Sequence, residues 1–434
     1  MTPVSARSPG HPDVRHAPPI GPRRHARRAA GAIGVVAGVV VALTACTGDE
    51  TVSPPSTSIA DNTTTTIERD DDGILRLGVY LPVTGVGTSL GEPMIGAVTA
   101  SVDLINAAGG VFGAPVELEI VDEGAGIGPG SLLDDGVDAI VGPASSLDTL
   151  SQLGELVDSA SGVVVCSPTA TALTLDAFPD NGYFFRTVPS DSLQMTAVAT
   201  RVRGTGLDSV AVGYLDDPYG RGLADAFRAE ADRLRITVSS EVGFSSDQED
   251  LSGAAADVLA GQPGVVVVLG DADDGSRLLA ALDLATGTPP QIIVNDAIRT
   301  ARERIQSLSP EFRAQLTGVA PLAVSVVSDG PAGFFTAHAA DCVNLIALAA
   351  RAAESDAPSR IRTTMASVST GGRSCASYAS CAGLLDQGLN IDYNGASGNV
   401  ELSSTTGDPT QAWFESFGFD DTGVETDSQR FEVP

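Results

Sequence analysis

The chain has 434 residues and a formal net charge of −30, from 25 basic and 55 acidic residues. That length exceeds one typical core and suits two or three domains, and 43% hydrophobic residues mark a chain that folds. Every basic residue is Arg, so a lysine Schiff base and a P-loop lysine are excluded, and the acid excess argues against a nucleic-acid-binding face. Three of the four His (His11, His16 and His25) fall in the extreme N-terminus, leaving the body only His338. A His-rich metal site or a Ser-His-Asp triad is then hard to build, and no cofactor is implied.

Residues 1–45 carry six Arg and one acid and end in the apolar run AAGAIGVVAGVVVALTA at 29–45. A basic stretch ahead of a short apolar run is the layout of a secretory signal. The run ends in Leu43, Thr44, Ala45 and Cys46. Small residues before a Cys at that place resemble the lipobox of bacterial lipoproteins, which implies acylation of Cys46 and an extracytoplasmic protein anchored to the membrane by lipid. Loss of residues 1–45 removes six bases and one acid, so the exported charge becomes −35. Residues 46–73, rich in Thr, Ser, Pro and Asp, have little to bury and read as a flexible tether.

Beyond residue 73 strand and helix patterns alternate. Residues 75–81 form an apolar strand, and 92–108 show helical spacing through Ile95, Val98, Val102 and Ile105. Gly109 and Gly110 stop that helix by supplying positive φ. Strands follow at 116–121, 139–141 and 163–165, with a helix at 147–160 between the last two. Strands at 210–214, 265–269 and 292–294 then alternate with helices at 220–234 and 276–285. Strands that are apolar throughout, each followed by a helix, predict α/β architecture with parallel sheets covered on both faces.

Six motifs occur in order: LGVYLPVTG (77–85), DLINAAGGVFG (103–113), VGPASS (141–146), SPTAT (167–171), DDPYGRG (216–222) and DYNGASG (392–398). Together they resemble a type I periplasmic binding protein of the leucine/isoleucine/valine-binding kind, over about residues 74–419. The resemblance implies two Rossmann-like lobes joined by three crossovers that close on a ligand. Matching the motifs places lobe one at 74–187 plus 322–393 and lobe two at 188–321 plus 394–434. It also implies an ABC permease as partner and a small ligand, an amino acid or related amide.

Ligands of open α/β sheets bind at the carboxyl ends of strands. Ser145 and Ser146 follow one such end, and Thr169, Ala170 and Thr171 follow the next. Each set can cap a helix or hold an anion at its N-terminus. The resemblance assigns Ser146 and Thr171 to a ligand α-carboxylate. It likewise assigns Asp296 to the α-ammonium and Tyr219 to the cleft, against the plainer readings of a capping Asp and a turn aromatic. Two departures leave the ligand open. Leu90 stands where the family often has an aromatic, and the loop at 270–275 carries Asp271 and Asp273. Those acids either face the cleft, implying a second positive group on the ligand, or sit at a helix N-terminus.

With Cys46 assigned to lipid, four Cys remain in an exported chain. The short loop from Cys375 to Cys381 predicts one disulfide. Cys166 and Cys342 form either a second bridge or two buried thiols. His338, one turn before Cys342, reads as a helix-face residue. Transport and ligand sensing share every one of these features. An enzyme has the least support, because no Cys-His or Ser-His set is visible and Asp216 and Asp217 lie in a turn motif.

Overall fold

Residues 71–433, except 86, 159–161, 323–332 and 421, are described by the computed structural model. The expected signal, Cys46 and nearly all of the tether lie outside these residues. Two main sheets order the rest, in an α/β, two-lobed arrangement.

The first lobe begins with β1 (Arg76–Leu81), β2 (Glu117–Asp122), β3 (Ala139–Val141), β4 (Val164–Ser167) and β5 (Phe184–Arg186), paired in parallel in the order β2-β1-β3-β4-β5. Between them run α1 (Thr88–Ala107), α2 (Gly130–Asp134) and α3 (Ser146–Leu156). The stop after α1 is as expected, with φ of 105° at Gly109 and 71° at Gly110. Helix α1 starts four residues earlier than the apolar spacing indicates and carries Pro93 inside it. Gly91 permits this, because a Cβ there would come within 1.8 Å of the Pro82 carbonyl.

The second lobe holds β6 (Ser209–Leu215), β7 (Thr237–Phe244), β8 (Val265–Leu269), β9 (Gln291–Val294) and β10 (Leu316–Pro321). Its helices are α4 (Asp191–Gly204), α5 (Pro218–Leu234), α6 (Ser252–Val258), α7 (Ala272–Ala285), α8 (Arg302–Ser307) and α9 (Pro310–Arg313). The strand period of two divides its core. Val265, Val267 and Leu269 join one buried cluster with Phe227 and Val198, while Val266 and Val268 join another with Leu278 and Phe312. Fully buried β8 is apolar at every position for that reason.

The chain then returns to the first lobe as α10 (Thr336–Ala353), α11 (Pro358–Thr364), β11 (Arg373–Cys375), α12 (Tyr378–Leu385), β12 (Ile391–Gly395) and β13 (Gly398–Asn399). It finishes as β14 (Ala412–Phe419) and β15 (Glu425–Val433), completing the order β15-β14-β10-β9-β8-β6-β7. Both final strands are antiparallel to their neighbours, a departure from the all-parallel expectation.

The third passage between lobes also comes later than residue 393. Asn394 and Gly395 pair with Asn399 and Gly398, Val400 and Leu402 are buried in the first lobe's core, and Asp408 pairs with Arg186 of β5. Residues 394–411 therefore stay with lobe one, and only β14 and β15 cross.

Two disulfides join Cys166 to Cys342 and Cys375 to Cys381, with Cα separations of 5.7 Å and 5.3 Å. The first ties β4 to α10. His338 lies on the buried face of α10, donating from Nδ1 to the Thr187 carbonyl at 3.0 Å, while the Thr187 hydroxyl donates to the His338 carbonyl at 2.9 Å. That clasp joins the first passage between lobes to the helix after the second. Burial lowers the His338 pKa to about 4. Among the described residues, no helix is long and apolar enough to cross a membrane.

Candidate functional site

The carboxyl ends of β3 and β4 present two loops that are stitched into one surface. Ser167 Oγ donates to the Pro143 carbonyl at 2.7 Å, and Thr169 Oγ1 donates to the Ala144 carbonyl at 2.6 Å. Ser146 Oγ accepts from Ala172 N at 3.3 Å. Ser145 caps α3, accepting from Asp148 N at 3.3 Å. Ala170 is buried and its amide is held by Ser167 Oγ at 3.0 Å. The carbonyls of Ala170 and Ala172 accept from Arg186 Nη1, and Arg186 is itself buried between Asp176 and Asp408. This lip is thus rigid, with its one nearby guanidinium already paired.

The facing surface comes from the second lobe. At the end of β9, Asn295 exchanges two hydrogen bonds with Gly270 and donates to Tyr219 Oη at 3.3 Å. This amide aligns Tyr219 with the loop holding Asp296. Asp271 caps α7, accepting from Asp274 N at 2.8 Å, and the exposed Asp273 pairs with Arg304. Both acids of that loop thus serve the start of a helix.

Sequence reasoning missed the group at the centre. Asp191 and Gln194 lie one turn apart at the start of α4, directly after the first passage between lobes, and both are fully buried. The Asp191 amide donates to the Thr171 carbonyl at 2.9 Å, which fixes α4 against the first lobe's lip. No well-formed hydrogen bond reaches either carboxylate oxygen of Asp191 or the Gln194 amide, although the Thr171 hydroxyl lies close to the first and Asp296 close to the second. Burial and then the charge of Asp296 push the Asp191 pKa up to about 7, only partly offset by the Thr171 hydroxyl and Arg186. Burial also raises Asp296, against the opposing effect of Gln194. Tyr219 is raised well above its ordinary value by burial and then by Asp191 and Asp296. Thr171, Asp191, Gln194, Tyr219 and Asp296 therefore form one constellation, while Ser145 and Asp271 spend a side-chain oxygen on capping.

Beside Asp296 opens a cavity of about 110 Å³, lined by Leu90 of α1, Ala297, Ala320, Pro321, Phe334 and Phe335. Arg299 also borders it, but its guanidinium pairs with Glu415 and Glu425 and stacks over Phe334 and Phe417. The site offers an apolar hollow, the buried carboxylate of Asp191, the half-buried one of Asp296 and no free cation among the described residues. A buried carboxylate without a cation bonded to it is costly, and a ligand ammonium placed there would lower the cost. Larger grooves on the second lobe, including one of about 380 Å³ between Leu251 and Leu284, carry none of these groups. Among the described residues no His, Cys, Asp and Glu cluster could hold a metal ion.

The one sequence signal for Asp191 was its place on a helix face. Positions 191, 194, 195, 198 and 202 all turn inward, so two polar residues sit on an otherwise apolar stripe.

Residues 74–369 match the family model described as periplasmic binding protein. The chain is 27% identical over 374 residues to the chemotactic signal transduction system substrate-binding protein BasB of Halobacterium salinarum, covering 81% of this chain and 88% of that one. It is 29% identical over 220 residues to the Leu/Ile/Val-binding protein BraC3 of Rhizobium johnstonii, covering 49% of this chain and 59% of the relative's length. An ABC transporter substrate-binding protein of Desulfitobacterium hafniense, solved in complex with Leu, superposes with a TM-score of 0.64 at 18% identity, covering 82% of this chain and 100% of that one.

Proposed function

Because the chain belongs to the periplasmic binding protein family, in its type I, leucine/isoleucine/valine-binding form, we propose that it captures a small amino-acid-like solute between its two lobes and delivers it to an ABC importer. The family is one of solute-binding proteins rather than enzymes. The observation that carries the ligand class is the buried Asp191 carboxylate, without a well-formed hydrogen bond, beside Asp296, which itself lines an apolar hollow. An ammonium would pair with the two carboxylates through charge-assisted bonds, and a compact apolar group would fill the hollow. The lip hydroxyls of Ser146 and Thr171 are the groups offered to a ligand carboxylate. Leu90, where the resemblance implies an aromatic, lines the hollow on the first lobe's side.

The apolar run ending at Cys46 supports an exported, lipid-anchored form, with the acidic body held off an anionic membrane surface. A second reading is a receptor subunit for ligand sensing, favoured by the likeness to a chemotactic substrate-binding protein across most of both chains. Calorimetric titration of the purified chain with a panel of amino acids tests the ligand class. Folded protein that binds no amino acid or amide would refute it.

A further inference from the structure

Glu123 lies in the short turn 123–125 after β2 and is only 7% exposed. Its carboxylate accepts from Ala144 N at 2.8 Å and from Ser145 N at 2.9 Å. These amides stand just ahead of α3, where the end of a helix attracts an anion. The chain's own carboxylate thus fills the place an incoming anion would take. The preceding residue, Asp122, accepts from Val83 N and Thr84 N at 2.8 Å and 3.1 Å, so one dipeptide grips the loops after β1 and β3 at the lobe-one rim. Ser146, the next residue after the clamped pair, reaches the Thr171 loop by accepting from Ala172 N at 3.3 Å. Burial pushes the Glu123 pKa up to about 7, and neighbouring Asp148 adds to the shift.

We propose that Glu123 is a built-in occupant of the anion position at the start of α3, fixing the loop that carries Ser146 and selecting against ligands whose only charge is negative. The proposal rests on the cleft reading above and narrows it. The site admits molecules through their ammonium end. A ligand carboxylate must make do with the Ser146 and Thr171 side, without the clamped amides.

Removal of the side chain tests the occupancy without any cleft ligand. In Glu123→Ala the two amides are open, and acetate should raise the unfolding midpoint by about 3 °C or more over chloride at equal ionic strength, while wild type is unmoved. A midpoint equally insensitive in both proteins overturns the proposal. Glu123→Gln keeps the shape and removes the charge, which covers the case in which the Ala variant does not fold. Amide exchange at Ala144 and Ser145 should then quicken by about tenfold, and unchanged exchange overturns the clamp. For selectivity, the probes are leucine, 3-methylbutan-1-amine and 4-methylpentanoate. Wild type should prefer the first two, and Glu123→Gln should shift the ratio of carboxylate to amine affinity upward by about tenfold. An unshifted ratio overturns the selectivity. Failure of all three probes on both proteins counts against the cleft reading alone, because the acetate and exchange results stand without a cleft ligand.

Discussion

The Asp191 carboxylate is buried beside Asp296, and the charge of Asp296 is the second cause, after burial, of its raised pKa. Two neighbouring acids whose nearest guanidinium groups, Arg186 and Arg299, already pair with other carboxylates are held at a cost. Asp191→Asn should therefore separate binding from stability. Affinity should fall by about 1–3 kcal/mol, while the ligand-free protein unfolds at the same temperature or higher. Calorimetry and thermal unfolding on the same preparation read both. Asp296→Asn should weaken binding by a similar amount. A variant that loses stability and affinity together would mark Asp191 as structural.

The same group sets a pH dependence. Folded Asp191 titrates near pH 7 against an ordinary value of 3.8. Between those values the folded state keeps a proton that the unfolded state has lost, so stability falls as pH rises through the window. Glu123 at about 7 and Asp356 at about 6 act in the same direction, whereas His338 at about 4 acts in the opposite one below its unfolded value. The difference between wild type and Asp191→Asn isolates the one carboxylate. Affinity for an ammonium ligand should drop as pH falls below about 7, with proton release on binding measurable in buffers of different ionisation enthalpy. A flat profile from pH 5 to 8 would contradict the assignment.

Lobe closure has its own contact. Leu173, in the turn after the Thr171 loop of lobe one, has its Cδ1 3.2 Å from where a Cβ at Gly222 of α5 would stand. Gly222→Val should hold the lobes apart, increasing the radius of gyration in solution scattering and weakening binding by about tenfold with no ligand contact removed. Leu173→Ala in that background should restore both. Unchanged scattering in the single variant would exclude the contact from closure.

The two disulfides should differ in worth. Cys166 and Cys342 are 176 positions apart and Cys375 and Cys381 are 6 apart. Loop-closure entropy assigns about 5 kcal/mol to the first and about 2 kcal/mol to the second. Cys342→Ala should therefore lower the unfolding midpoint more than Cys381→Ala. The reverse order in chemical denaturation would show that chain entropy does not govern their contributions.

The parts of the fold that the sequence displayed were those with one dominant cause. Val265–Leu269 is apolar because both faces of β8 are covered, and Gly109 and Gly110 end α1 because their φ is positive. Strand β7 alternates burial at the sheet edge, and β14 mixes Trp413, Glu415 and Gly418 among apolar residues, so neither carries an unbroken apolar signal. The third passage was misplaced because the motif around Tyr393 continues into a hairpin that only pairing reveals. In sequence Asp191 shows only its place on the inward stripe of a helix start. Its meaning depends on α4 being packed against the Thr171 loop, a long-range fact without local pattern. Glu123 was hidden similarly, since its partners lie 21 and 22 residues away.

Native mass spectrometry of the purified chain, released gently enough to keep the lobes closed, tests the central claim most directly. Wild type should carry a small molecule bearing an amino group on a compact apolar body, and Asp191→Asn combined with Asp296→Asn should carry none. A retained ligand in the double variant, or a bound molecule with no positive group, would contradict the account.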